Sequence, residues 1–360
     1  MASPLPPEAL TNRQDVQGDI DLLQGLVAIP STSGNEAAVV ADFCRQMAAR
    51  GLQTEIDAAG NAIGRIGDGP RHIVLLGHID TVPGVIPVRI EDGILHGRGS
   101  VDAKGPLATF AAAAALASPA LNAQVTVVGA VGEETIGSPG ATEVATWPAP
   151  DLCVIGEPSG WDAICLGYRG SVSLDYTLRQ AGRHTAGPGE SVAEQAVGFW
   201  NALTTEADRR NAGKTSTFTM LGPGLRSFNT ETDGFYDTAT LSIGLRLPPG
   251  VDTSELLGTI RSLAGDADLR INGLQEGYRS DKKSALVPPF LRAIRAEGGT
   301  PRFTLKLGTS DMTVVGPVWK CPIVAYGPGD AALDHTPEER IVLNEYLRAV
   351  RVLAGVLMSL

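Results

Sequence analysis

The chain has few cysteines, fewer basic than acidic residues, and no apolar run long enough to span a bilayer, and each shortage removes a class of function. Cys44, Cys153, Cys165 and Cys321 are the only cysteines among 360 residues, and no Cys-x-x-Cys spacing joins them. A thiolate metal site or a disulfide framework is therefore not expected, and the four are read as reduced core residues. Forty acidic against 29 basic residues give a formal net charge of -11, which argues against nucleic acid or an anionic membrane as a partner. The N-terminal stretch is acidic where a secretory signal would be basic, so a soluble cytoplasmic protein is expected. Two catalytic motifs are also missing. Gly97-x-Gly99 lacks the third glycine of a dinucleotide fingerprint, and there is no Gly-x-Ser-x-Gly elbow for a serine hydrolase.

What is present is enough chain for two domains, with 43 % hydrophobic residues to fill their cores. Helical spacing of apolar residues marks 15–29 and 35–50. Stretches 62–66, 73–76, 125–131 and 152–155 read as strands, with an Ala-rich helix over 106–117. This alternation predicts an α/β fold with a mostly parallel, helix-covered sheet whose ligands gather at the carboxyl ends of the strands. After Gly170 the texture changes to β-rich runs at 171–178 and 239–247 with helices at 190–207 and 253–264, an inserted α+β domain. The expected division is 1–168 and 283–360 for the catalytic domain and 169–282 for the insert. A helix at 287–298, a loop at 307–312, a strand at 323–326 and a closing helix at 338–358 complete the reading.

The chemistry lies in five short segments: Gly77-His78-Ile79-Asp80, Gly99 to Gly105 around Asp102, Gly132-Glu133-Glu134, Ile155-Gly156-Glu157-Pro158 and Asp334-His335-Thr336-Pro337. Imidazole with carboxylate and no thiolate is the donor mix of catalytic zinc, cobalt or manganese. Two ions about 3.5–4 Å apart need a bridging carboxylate, and Asp102, in a Gly-rich loop ahead of Ala103 and Lys104, is placed to be it. His78 with Glu157 would complete one ion and Glu134 with His335 the other. Asp80 would accept the second ring N–H of His78. Glu133 would be the general base, on the expectation that adjacent residues at a strand end point in different directions. Singly, a Glu-Glu pair is usually solvated surface and a His-x-Asp usually chance; it is their joint order that carries the reading. His72 and His96 fall outside it and are taken as structural.

These motifs resemble the co-catalytic zinc amidohydrolases and peptidases that include acetylornithine deacetylase, succinyl-diaminopimelate desuccinylase and carboxypeptidase G-type enzymes, over nearly the whole chain. The resemblance implies a di-zinc exopeptidase-like catalytic domain with an inserted lid and dimerisation domain, and a homodimer binding two divalent ions per subunit, zinc first and cobalt as the alternative. It implies that His184, in Arg183-His184-Thr185-Ala186, reaches the partner subunit's active site to polarise the scissile carbonyl. It also assigns substrate binding to Thr309 and Ser310 of Gly308-Thr309-Ser310-Asp311, and a carboxylate grip to Arg246. Relatives hold the bridging aspartate on a non-proline cis peptide, so Asp102–Ala103 is expected to be cis.

Asp102-Ala103-Lys104-Gly105-Pro106 departs from the family's usual Asp-Met-Lys-Gly-Gly. With Gly156 to Trp161 and Leu166-Gly167-Tyr168-Arg169-Gly170, it resembles the branch that releases lysine or ornithine from the amino-group carrier protein LysW. The alternative is a small-molecule N-acyl amino-acid deacylase, and a third reading is a metal-free binding module of the same fold. Such carriers are strongly acidic, so a protein of this charge would need a basic rim, for which Arg169, Arg183, Arg226, Arg279, Lys282 and Lys283 are candidates.

Overall fold

A computed structural model describes residues 7–184 and 187–360. It divides into two compact units: residues up to Gly167 with Ser280–Leu305 and Ser310–Leu360, and Tyr168–Arg279 with Lys306–Thr309. Among the described residues no helix is long and apolar enough to cross a membrane.

In the first unit the central sheet runs in the order Gln53–Ile56, Ala62–Ile66, Ala123–Ala130, Arg71–His78, Leu152–Gly156, Ile323–Ala325, Ala163–Tyr168. The four strands from Ala123–Ala130 to Ile323–Ala325 are parallel, and those outside them pair antiparallel. The sheet is thus mixed around a parallel centre, as the sequence led one to expect. Its middle strands are buried along nearly their whole length, which is what helices on both faces impose. One of those helices, Lys104–Ala117, is almost wholly buried itself. Its alanines at 108 and 111–114 let it sit tightly between the sheet and the C-terminal helix Leu343–Ser359.

That C-terminal helix begins later than the expected 338. Residues Arg340–Val342 form a strand paired with Ile94–His96, because β-branched Ile341 and Val342 find backbone partners there before the helical pattern starts. The strand at 163–168 and the pair at 89–91 and 94–96 also gave no clear signal in the sequence, being short or lacking alternation.

The insert is a four-stranded antiparallel sheet, in the order Gly222–Thr232, Tyr236–Leu247, Gly170–Ala181, Asp268–Gln275. Val172, Leu174, Tyr176 and Leu178 alternate inward beside Leu241, Ile243, Leu245 and Leu247, and all eight belong to one apolar core. Helices Val192–Asn211 and Thr253–Ala264 supply the other half of that core. The first is started by a capping box of Ser191 and Glu194, the second by Asp252. Strand Gly222–Thr232 is an edge strand, exposed along most of its length.

Candidate metal centre

The strand Arg71–His78 ends with His78 level with Ala130, and Gly77 faces Gly156 on the other side. A side chain added at Gly156 would meet Phe110 at 2.9 Å and the Gly77 backbone at 3.0 Å. The close approach of these glycines brings the loops after three parallel strands onto one rim. The His78 ring is buried there. Its Nδ1 lies 3.1 Å from the Asp80 carbonyl oxygen and 3.5 Å from the Asp80 carboxylate, which orients Nε2 toward Asp102.

Asp80 does more than face His78. Its buried carboxylate accepts the Ser33 hydroxyl at 2.7 Å and the backbone N–H groups of Glu133 and Glu134 at 3.0 and 3.1 Å. The expected strand-end placement of the two glutamates is therefore corrected. The strand stops at Ala130, Gly132 takes a left-handed φ of 71°, and both glutamates sit in the turn that follows. Their divergence comes from a turn pinned by Asp80, and Ser33 carried no motif by which to find it.

The Asp102–Ala103 peptide is cis, as expected. Asp102 Oδ1 lies 3.1 Å from His78 Nε2, its Oδ2 lies 3.0 Å from His335 Nε2, and that nitrogen is 2.9 Å from Glu134 Oε1. One carboxylate between two imidazoles is the arrangement a bridging ligand requires. Behind it, buried Lys104 donates to the carbonyls of Leu26 and Ile29 at 3.0 and 2.7 Å, capping the end of helix Val16–Ala28. Burial draws its amine down to about 8.

Burial pushes Glu133 and Glu157 well above the usual carboxylate range, and each is raised further by neighbouring carboxylates, Asp311 and Asp102 among them. Asp311 is itself raised to about 7, again chiefly by burial. Burial opposes a charged His78, but Asp102, Asp80 and Glu133 overcome it and hold the imidazolium well above its ordinary value. Hydrogen bonds that His335 donates to the carboxylates of Asp102 and Glu134 raise it to about 10. Carboxylates crowded out of water in this way are neutralised by protons or by a bound cation. The donors fit a divalent one: ligand atoms of His78, Glu133 and Glu134, and of Asp102, Glu134 and His335, form two groups each within 4.8 Å. Glu157 is 8 % exposed and within electrostatic reach of Asp102, Glu133 and His78; it stands outside those groups, and Glu133 occupies the place beside His78.

Residues 74–359 match the model of Peptidase family M20/M25/M40. The chain belongs to that family. It is 44 % identical, over 98 % of its length and 99 % of the relative's, to a LysW-lysine hydrolase of Deinococcus radiodurans. It is 30 % identical, over 92 % of each chain, to a LysW-lysine/LysW-ornithine hydrolase of Sulfurisphaera tokodaii. Among solved structures it shares the fold of the M20 metallo-carboxypeptidase Sso-CP2 of Sulfolobus solfataricus, with TM-score 0.76, 18 % identity and coverage of 94 % and 98 %. A tripeptidase of Staphylococcus aureus matches with TM-score 0.77, 19 % identity and coverage of 97 % and 100 %.

The other residues singled out in this M20 chain are placed as follows. Ser310 is buried, and its hydroxyl accepts the Met312 N–H at 3.2 Å at the start of helix Met312–Trp319; Thr309 is half-buried. In the insert, Arg246 is exposed on strand Tyr236–Leu247 opposite Ser171 and Gly222. His184 is exposed too, while Thr185 and Ala186 lie outside the described residues. Arg169 is no rim residue: it is 4 % exposed, and its guanidinium donates to the Met220 and Arg246 carbonyls at 2.6 and 3.1 Å. Of the four cysteines, Cys153 and Cys165 are buried but Cys44 and Cys321 only partly so. His72 bonds Thr126 at 3.0 Å and His96 lies near Arg89, both away from the ligand group.

Proposed function

We infer that this M20 protein hydrolyses the amide joining the γ-carboxyl of the C-terminal glutamate of a LysW-type carrier protein to the α-amino group of lysine, and of ornithine as well. What carries the reading is the contact chain His78, Asp102, His335, Glu134 in a sequence 44 % identical to a LysW-lysine hydrolase. His78 and Glu157 would hold one divalent ion and Glu134 and His335 the other, with Asp102 shared and zinc the first expectation, cobalt the second. Bound there, the ions would supply Lewis acidity toward the scissile carbonyl and toward the attacking water.

Glu133 takes the proton from that water as its oxygen bonds to the carbonyl carbon. It then delivers the proton to the leaving α-amine as the C–N bond breaks. Asp80 keeps this base in register through the backbone of its turn and orients the His78 ring. Arg246 holds the α-carboxylate that the released amino acid retains, and Thr309 and Ser310 line the substrate loop. The protein acts as a homodimer in which His184 polarises the carbonyl in the partner subunit's site. The exposed edge strand Gly222–Thr232, bearing Leu225 and Phe228 at 41 % and 42 % exposure, supports pairing between two inserts.

The test is release of free amino acid from LysW-γ-lysine and LysW-γ-ornithine, run beside N-acetylornithine and N-succinyl-diaminopimelate, with and without chelator. Turnover confined to the carrier-linked substrates and abolished by chelation is the expected result. Turnover of the small substrates alone would replace this reading with a small-molecule deacylase, and metal-independent turnover would remove the two-metal centre.

A further inference from the structure

Asp102 and His335 come from loops far apart in the chain, and one buried carboxylate is bonded into both loops. Glu339 has no exposed surface. Its Oε1 accepts the backbone N–H groups of Val101 and Asp102 at 3.0 and 3.1 Å, and its Oε2 accepts Arg98 Nη1 at 2.6 Å. Its own carbonyl accepts the Gly97 N–H at 3.3 Å. The same Arg98 nitrogen donates to the carbonyl of Thr336 at 3.2 Å, the residue that follows His335. His335 itself has a left-handed backbone with φ of 61°. A non-glycine residue persists in that region only when its surroundings hold it. Here the bond to the next carbonyl and the pairing of Arg340–Val342 with Ile94–His96 do so.

We propose that Glu339, with Arg98 as its counter-ion, is a positioning residue for the metal centre: a single carboxylate sets the Asp102 loop and the His335 loop at the separation their side chains need to share an ion. The proposal rests on the two-metal reading of the site. The carboxylate is needed because three donors converge on it. An amide would turn its NH2 toward either the backbone N–H groups or Arg98, leaving a guanidinium only 13 % exposed without its anion. Since the carboxylate bonds to backbone and to Arg98, its removal alters ligand placement and leaves the ligands themselves in the chain. This is the behaviour of groups that orient metal ligands, whose loss costs about 10–100-fold in affinity.

The test uses full-length protein, stripped and reloaded, as wild type, Glu339→Gln, Arg98→Gln and the double variant. Three quantities are read: the Zn2+ and Co2+ dissociation constants by chelator competition, the visible spectrum of the cobalt form, and the melting temperature of the stripped protein. Glu339→Gln is expected to weaken binding about 10–100-fold and shift the cobalt bands. Arg98→Gln is expected to move both in the same direction by less, and the double variant to bind no more weakly than Glu339→Gln, because the two act through one carboxylate. A role confined to folding would lower the melting temperature while dissociation constants and cobalt spectrum stay at wild type, and that result overturns the proposal. If Glu339→Gln does not fold, Arg98→Gln decides, unchanged affinity again overturning it. A wild type that binds no divalent ion in the same titration would remove the two-metal reading first, and this proposal with it.

Discussion

In the unit that carries the candidate metal centre, Asp80, Lys104 and Glu339 are 0 %, 1 % and 0 % exposed, and each holds a loop or a helix end in place. In the insert, pairs on the sheet's strands and hairpin lie in water: Arg179 and Asp233 have side chains 54 % and 53 % exposed, Arg270 and Asp268 76 % and 62 %, while the helix pair Arg210 and Glu206 is largely covered. The same residue types thus serve different ends. A sheet covered on both faces has a dry rim where carboxylates shift their proton affinity and can poise a base. On the open face of a sheet covered on one side, charges such as Arg270 and Asp268 stay solvated, where pairing contributes little to stability but leaves side chains available to meet a partner or substrate.

The contrast is tested most severely at Glu133. Glu133→Ala should lower kcat by at least ~10²–10⁴-fold while the protein still binds two ions, because the base is lost and the other donors remain. Near-normal turnover would show that the dry rim poises some other base.

A second experiment asks whether the solvated insert contributes chemistry. Equal amounts of inactive His184→Ala and inactive Glu133→Ala proteins, allowed to exchange subunits, should recover about a quarter of wild-type activity. Half the dimers are then mixed, and one of the two sites in each is complete. Proven exchange without recovery would place His184 in its own subunit's site or outside the reaction.

The next effect is on stability and belongs to the dry unit. Burial raises Asp19 from 3.8 to about 6 despite its hydrogen bond from Gln14. The folded state therefore holds this proton more tightly than the unfolded chain, and its stabilising effect is full below pH 3.8 and lost as pH rises through about 6. Asp19→Asn should raise the melting temperature at pH 8, by up to about 3 kcal/mol of stability, and change little at pH 4. Equal effects at both pH values would mean that burial of the charge is not what matters. The smallest effect is predicted for Asp268→Ala in the insert, within ~0.5 kcal/mol of wild type by denaturant unfolding; a larger loss would show that the exposed pairs are not merely solvated.

The ligand segments could be read in the sequence because each is local: His78 with Asp80, Asp102 in its glycine-rich loop, Glu133 with Glu134. The residues that hold them could not. Ser33 meets Asp80 across 47 positions, and Glu339 meets Asp102 across 237, separations over which no spacing rule operates. Strand Gly222–Thr232 was missed for a related reason. Its start, Gly-Pro-Gly, reads as a turn, and an edge strand exposed along most of its length has no buried face to impose alternation.

The sequence by itself determined the parallel centre of the sheet, the interruption by an α+β insert and the kinds of atom available to a metal, since apolar periodicity and ligand chemistry are properties of short segments. The tertiary structure alone decided that Asp80 pins the turn of Glu133, that Glu339 bonds into the Asp102 loop and that Arg169 is buried, away from any surface rim. Each of these depends on which strand ends come level and which carboxylates lose their water, and both are fixed only when segments distant in the chain pack together.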